Sequence, residues 1–278
     1  MWVERGAIVD IARKIAKYED KGFSRDRAEV NTLMEHAAVT IFKDFPDAFV
    51  LFGGATLVLY HDSVRHSADL DLLSRTAAFP SPEEISASLQ RDLIPVGQNM
   101  ELGELRFQLE RSNSREGRIF VSTGAGRRLF RIDLTRLGSA IESEIEDHPI
   151  EGESGLSAVI KSATKELLLF QKAEAFLMRR SVKARDAYDI NLLNEIGAVL
   201  SPNLRAHLQD TILGNEIDSE TISDRIDRVG VDLCRLELKP IQPANTYSEL
   251  EEAQFEPLRN ALRYLYRSGY EKPKEKTV

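Results

Sequence analysis

Ala48-Phe-Val-Leu-Phe-Gly-Gly-Ala-Thr-Leu-Val-Leu-Tyr60, followed by Ala68-Asp-Leu-Asp-Leu-Leu73, is the stretch from which the architecture can be read. Ala48 to Phe52 is an apolar run of strand length, Gly53-Gly54 is a turn signal, and Ala55 to Tyr60 has helical character. Ala68 to Leu73 reads as a second strand. Side chains alternate with period two, so Asp69 and Asp71 share one face and Leu70 and Leu72 the other. Upstream, residues 24 to 45 form an amphipathic helix: Ser24 can cap it, Val30, Leu33, Met34, Ala37, Ala38, Ile41 and Phe42 recur at helical spacing, and Pro46 ends it. Downstream, Pro80-Ser-Pro82 precedes a helix to about Arg91. Three strand-like segments follow near 105 to 111, 118 to 122 and 128 to 134, the last carrying Asp133. From Gly155 the character turns helical, with segments at Leu156 to Met178, Arg185 to Ile196, 202 to 213, 217 to 229 and 247 to 266. The pattern predicts an α+β protein. A small mixed sheet with flanking helices occupies 1–150, and a mainly helical half occupies 151–278.

The composition agrees with a folded, water-facing chain. Of 278 residues, 42% are hydrophobic and 29% charged, which excludes collagen-like, wholly disordered and disulfide-framework classes. The single cysteine, Cys234, cannot form an intramolecular disulfide, and no Cys/His group has zinc spacing, so a reducing cytoplasm is expected. Acids fall within the first ten residues, where a signal peptide needs an apolar run, and no stretch approaches the roughly 18 apolar residues of a membrane span. An N-terminal helix carrying Val3, Ala7, Ile8, Ile11, Ala12 and Ile15 must bury that stripe in its own core or against a partner. The segment 271–278 reads as a frayed tail.

Net charge is -8, but its distribution is uneven. Between Gly103 and Arg136 stand eight arginines (106, 111, 115, 118, 127, 128, 131, 136) against four acids, whereas Leu137 to Gly155 has six acids and no Lys or Arg. Residues 160 to 185 are basic again, with Lys161, Lys165, Lys172, Arg179, Arg180, Lys183 and Arg185. Two basic segments could converge on a polyanion, or they could be solvated faces.

Two carboxylates at i and i+2 on a strand suit a divalent ion that takes oxygen ligands and keeps sites for substrate phosphates. A glycine turn opening a helix lets backbone N–H groups approach a phosphate. Their order carries more than either alone: Gly53-Gly54, fourteen residues, Asp69-Leu-Asp71, and a later strand acid at Asp133. This arrangement resembles the nucleotidyltransferase superfamily related to DNA polymerase beta. Phe49-Val-Leu-Phe-Gly-Gly-Ala-Thr-Leu57, then Arg65-His-Ser-Ala-Asp-Leu-Asp-Leu72, then Lys172 and Arg185-Asp-Ala-Tyr-Asp-Ile190, are similar to the successive motifs of AbiEii-type nucleotidyltransferase toxins, the group that includes the MenT enzymes. The resemblance runs from about 48 to 193. It departs at Gly53-Gly54-Ala55-Thr56, where the family commonly has Gly-Gly-Thr, and after 195, where no motif matches.

The resemblance implies transfer of a nucleoside monophosphate from an NTP, with magnesium (Mg2+), to an acceptor, foremost the 3' end of tRNA. It also implies a toxin with a cognate antitoxin protein. A protein or small-molecule hydroxyl is the alternative acceptor, and a non-catalytic binding module the alternative class. Asp69 and Asp71 would hold the metal, and Gly53, Gly54, Ser67, Arg65, Lys172 and Asp189 would serve the nucleotide. Ser67 would touch phosphate or merely enter the strand, and Arg65 would clamp phosphate or partner the two acids. Lys172 would meet the phosphates from the helical half or lie on a solvated helix face. Asp186 would reach the site or serve only as an acid at a helix N-terminus. Asp133 would take the proton of the attacking hydroxyl or pair with Arg131 or Arg136. His61 and His66 flank these residues as hydrogen-bonded loop positions.

Overall fold

A computed structural model describes residues 5–75, 80–111, 116–136, 144–152 and 155–270. Val3, Arg115, residues 137–143 and 153–154 of the acidic segment and the 271–278 tail lie outside them, as do the side chains of Ala7, Ile8, Arg111, Arg136 and Leu156. The chain forms two compact units, 1–163 and 164–278.

The first unit is built on a seven-stranded mixed sheet among the described residues. In chain order its strands are β1 (Phe49–Phe52), β2 (Asp69–Ser74), β3 (Leu105–Arg111), β4 (Gly117–Thr123), β5 (Arg128–Arg136), β6 (Ile145–Gly152) and β7 (Gly155–Ala163), arranged β3-β4-β5-β2-β1-β7-β6. β2 runs antiparallel to β1 and parallel to β5, and β1 runs parallel to β7. The two acids therefore sit near the middle of the sheet. Helices α1 (Arg5–Asp20), α2 (Arg25–Asp44) and α4 (Pro82–Asn99) share one apolar core with the sheet: Ile11, Ile15, Leu33, Ile41, Leu89 and Leu93 are buried with Leu70, Leu72, Ile119, Ile132 and Ile160. Ile11 and Ile15 of the N-terminal stripe are thus covered by the chain's own core. Burying a side chain of this size stabilises by about 1.5–3 kcal/mol, so the shared core is what keeps the sheet's other face in place.

α4 runs eight residues past Arg91, where the sequence reading ended it. Ser81 and Glu84 form a capping box that starts it, and its buried stripe continues through Leu93 and, beyond Pro95, Gly97. Gly97 permits the close approach to β3, because a Cβ there would stand 2.7 Å from Leu105 Cδ1. A larger correction concerns 155–163, read as the start of a long helix. It is β7, with Ala158, Ile160 and Ser162 buried on alternate positions, and the helix begins only after Thr164, whose hydroxyl accepts from the Leu167 N–H at 3.2 Å. The sheet consequently reaches past the 145–155 segment at which the sequence changed character. β6 is an edge strand, where Pro149 removes no interior ladder bond.

The second unit is helical among its described residues: α5 (Lys165–Met178), α6 (Ala184–Glu195), α7 (Pro202–Gly214), α8 (Ser219–Asp227), α9 (Val231–Glu237), α10 (Ala244–Glu252) and α11 (Glu256–Tyr270). The segment read as one helix over 247–266 is two. Gln254 and Phe255 take left-handed φ of 51° and 57°, which turns the chain so that Phe255 is fully buried. α6 has no cap from its own N-cap Lys183. Glu237 supplies one, accepting from the Ala184 N–H at 2.8 Å while pairing with the Lys183 ammonium. Burial pushes the Cys234 thiol up to about 12, so it stays a protonated core residue.

Candidate active site

β1 passes without a loop into α3 (Gly53–Tyr60), and the junction favours glycine. Gly53 has φ +73°, and a Cβ on it would overlap Oδ2 of Asp71. The Asp71 carboxylate thus rests against the glycine backbone at the first residue of α3, the end of a helix that favours negative charge. At Gly54 a Cβ would lie 2.6 Å from Arg65 Nη2 and 2.9 Å from Ser67 Oγ. Arg65 and Ser67 are buried against this turn. Arg65 Nη1 donates to the His66 carbonyl at 3.2 Å, and Ser67 Oγ donates to the Asp69 carbonyl at 3.3 Å. Both hold the backbone that leads into β2.

The alternation expected along β2 is present: Leu70 and Leu72 are fully buried and Asp69 and Asp71 half-buried. Parallel pairing with β5 sets Asp69 opposite Arg131 and Asp71 opposite Asp133. Asp133 therefore joins the same face, directly beside Asp71. One guanidinium nitrogen, Arg131 Nη2, lies 3.1 Å from Asp69 Oδ2 and 2.7 Å from Asp133 Oδ2, while Arg118 Nε donates to Asp133 Oδ1 at 3.1 Å. The pairing alternative for Asp133 holds through Arg131, and the register also sets it beside Asp71. Arg118, a second partner, was visible in the sequence only as part of a charge excess. Register between strands far apart in the chain is what assigns it.

In the helical unit the structure places Lys172, Asp186 and Asp189 together. Lys172 Nζ is 2.8 Å from Asp189 Oδ2 and 4.0 Å from Asp186 Oδ1, and Arg179 Nη1 is 3.3 Å from Asp186 Oδ2. Lys172 is nearly buried, so the solvated-face alternative fails, and both acids are fully buried. Burial pushes the Asp186 carboxyl above its usual range, against the pull of Lys172 and Arg179. A compact group of two acids and two cations is neutral overall, which is what makes its burial tolerable.

His66 is half-buried beside Arg27 and Arg65, and desolvation first, then their charge, lowers its pKa to about 4. It is a neutral imidazole at pH 7. His61 caps the C-terminus of α3, with Nε2 3.7 Å from Glu146.

Among the described residues no three His, Cys, Asp or Glu side chains converge tightly enough to hold a metal ion by themselves. Asp69 and Asp71 do fit magnesium. They are hard oxygen donors, and Mg2+ ordinarily takes one or two carboxylates and completes its shell with water and substrate phosphates. Among the described residues no helix is long and apolar enough to cross a membrane.

A strand, a glycine turn, a helix and then a strand with a carboxylate pair define a nucleotidyltransferase fold. Two crystal structures from H. pylori share it: one assigned as a candidate nucleotidyltransferase (19% identity, TM-score 0.57, covering 88% of this chain and 97% of that one) and JHP933 (18%, 0.56, 88% and 94%). Residues 37–262 match the model of the AbiEii family, described as the nucleotidyl transferase AbiEii toxin of type IV toxin–antitoxin systems. The chain belongs to this family and is a nucleotidyltransferase, which brings an NTP as substrate and an antitoxin as partner. The match runs through α10 into α11, well beyond the last motif readable near 193. No curated protein matches the chain.

Proposed function

We propose that the protein transfers a nucleoside monophosphate from an NTP to the 3' end of RNA, tRNA foremost, in a magnesium-dependent reaction. The observation that carries this reading is the sheet face on which Asp69, Asp71 and Asp133 lie together beside the Gly53–Gly54 turn. Asp69 and Asp71 would hold the metal. A bound magnesium would supply positive charge to the triphosphate, from which pyrophosphate is the leaving group. Gly53 and Gly54 supply backbone N–H groups at the start of α3, where a phosphate is favoured. Arg65 stands behind that turn as a fixed positive charge, and Ser67 keeps the turn and β2 in register.

Asp133 accepts the proton of the attacking hydroxyl, which requires Arg131 to leave its Oδ2. Lys172 takes the phosphate contact that the family resemblance gives it, and Asp189 and Asp186 set its position. The test is incorporation of each α-labelled NTP into total RNA and into protein, comparing wild type with Asp69→Asn plus Asp71→Asn. Label in tRNA-sized RNA that the double variant abolishes supports the reading. Label confined to protein refutes the acceptor, and label that survives the double variant refutes the site.

A further inference from the structure

The carboxylate face does not end at β5. Antiparallel register carries it across β4 to the edge strand β3, and residues directly opposite one another share a face. One row runs Asp69, Arg131, Phe120, Gln108, and the row beside it runs Asp71, Asp133, Arg118, Glu110. A third, beyond the irregularity at Val121/Ser122, runs Arg128, Ser122, Arg106. The other face is core, with Ile119, Val121, Ile132 and Leu134 buried.

This outer face has a specific composition. The guanidinium of Arg128 lies 4.4 Å from the centroid of the half-buried Phe120 ring. Among the described residues no carboxylate pairs with Arg128. Arg106 and Arg118 flank this stack and are exposed, paired with Glu104 at 3.3 Å and Glu110 at 4.0 Å respectively, Arg118 also with Asp133. A cleft of about 770 Å³ is lined in part by Arg106, Gln108, Phe120, Ser122 and Arg128. From Asp69 to Phe120 is two strand spacings, about 10 Å.

We propose that this face is the track for the single-stranded end of the nucleic-acid acceptor, with a base stacked on the Phe120–Arg128 pair and the backbone met by Arg106 and Arg118. The proposal rests on the reading that RNA is the acceptor. An aromatic ring and a guanidinium plane are the surfaces on which an unpaired base stacks, whichever base it is, and flanking cations follow the phosphates. Gln108 and Ser122 place hydrogen-bonding groups at the edges of such a base. An acidic protein segment would match the arginines and leave the ring and the two amide and hydroxyl groups without a counterpart. The polarity follows from the rows: the reacting 3' hydroxyl lies over β2 and the preceding nucleotides over β4 and β3.

The experiment is fluorescence anisotropy of a labelled single-stranded RNA octamer, alongside calorimetric NTP binding and α-labelled NTP incorporation. It compares wild type with Phe120→Leu, Phe120→Trp and Arg128→Ala. Loss of one stacked base weakens RNA binding about five- to a hundredfold in Phe120→Leu, and Phe120→Trp restores it. Arg128→Ala lowers the slope of log K against log salt by about 0.7. NTP binding is unchanged in all three. If wild type binds and labels RNA while Phe120→Leu and Arg128→Ala do so equally well, the track is wrong and the proposed function stands. If wild type labels only protein, the acceptor reading falls and takes the track with it. Arg128 is exposed, so its variant folds and decides the matter even if Phe120→Leu does not fold.

Discussion

Gly53→Ala perturbs the site at its tightest point. The residue has φ +73°, where an L-residue pays about 1–2 kcal/mol for the contact of its Cβ with the backbone. That cost lowers the midpoint of thermal unfolding by roughly 2–8 °C in a unit of this size. The new methyl also overlaps Oδ2 of Asp71, which must move to admit it. A displacement of the order of 1 Å at a reacting group reduces turnover about a hundredfold, far more than the stability loss explains at a temperature where the variant is folded. Gly54→Ala separates the two effects. Gly54 is not in the left-handed region, and its methyl meets the ends of the Arg65 and Ser67 side chains, so Asp71 stays in place. The assays are calorimetric melting and labelled NTP incorporation 15 °C below the melting point. A Gly53→Ala protein that melts with wild type and retains full kcat would refute both the strain at this turn and the seating of Asp71 upon it.

Three further outcomes follow from the electrostatics. Lys172→Ala removes the ammonium 2.8 Å from the buried Asp189 and destabilises the protein by about 3–5 kcal/mol in urea titration; adding Asp189→Asn restores most of the loss. Asp186 is raised from 3.8 by burial, so the unfolded chain releases this proton first and stability declines as pH rises from about 4 through the raised value. Asp186→Asn removes that decline, which a series of urea midpoints against pH will show, and an unchanged series would deny the burial effect. His66 is lowered to about 4 from 6.5, so its neutral form stabilises the fold above 6.5 and the contribution, roughly 3 kcal/mol, is lost as pH falls from 6.5 to 4. His66→Gln flattens the acid limb over that interval, read by the same titration.

The parts of the site that were legible in the sequence are those set by local periodicity. Period two put Asp69 and Asp71 on one face with Leu70 and Leu72 behind them, and a glycine pair between an apolar run and a helix marked the turn. The adjacency of Asp71 and Asp133 was not legible, because parallel pairing of β2 with β5 joins residues 62 positions apart and has no local signal. Burial of Lys172 was hidden for a related reason. A lysine on a helix reads as solvated unless its two acids, one turn apart on the next helix, are known to face it. β7 reads as helix because Leu156, Val159 and Ile160 fit helical spacing while Ala158, Ile160 and Ser162 fit strand alternation, and only pairing with β1 and β6 decides between them. The break at Gln254–Phe255 does have a local signal in Pro257, which has no N–H to donate to the Ala253 carbonyl and cannot continue the preceding helix, and burial of Phe255 accompanies the turn.

Arg131 gives the resting protein a tethered counter-ion. With one nitrogen on Asp69 and Asp133 at once, the face does not present naked negative charge to whatever cations surround it. An incoming ion competes with a guanidinium whose local concentration is set by the length of its own side chain rather than by the medium. On the proposed function, a cation at Asp69 would have to displace Arg131, and a triphosphate would offer that arginine an alternative partner. Ion and nucleotide would then load together, and until then the guanidinium stands in for the ion.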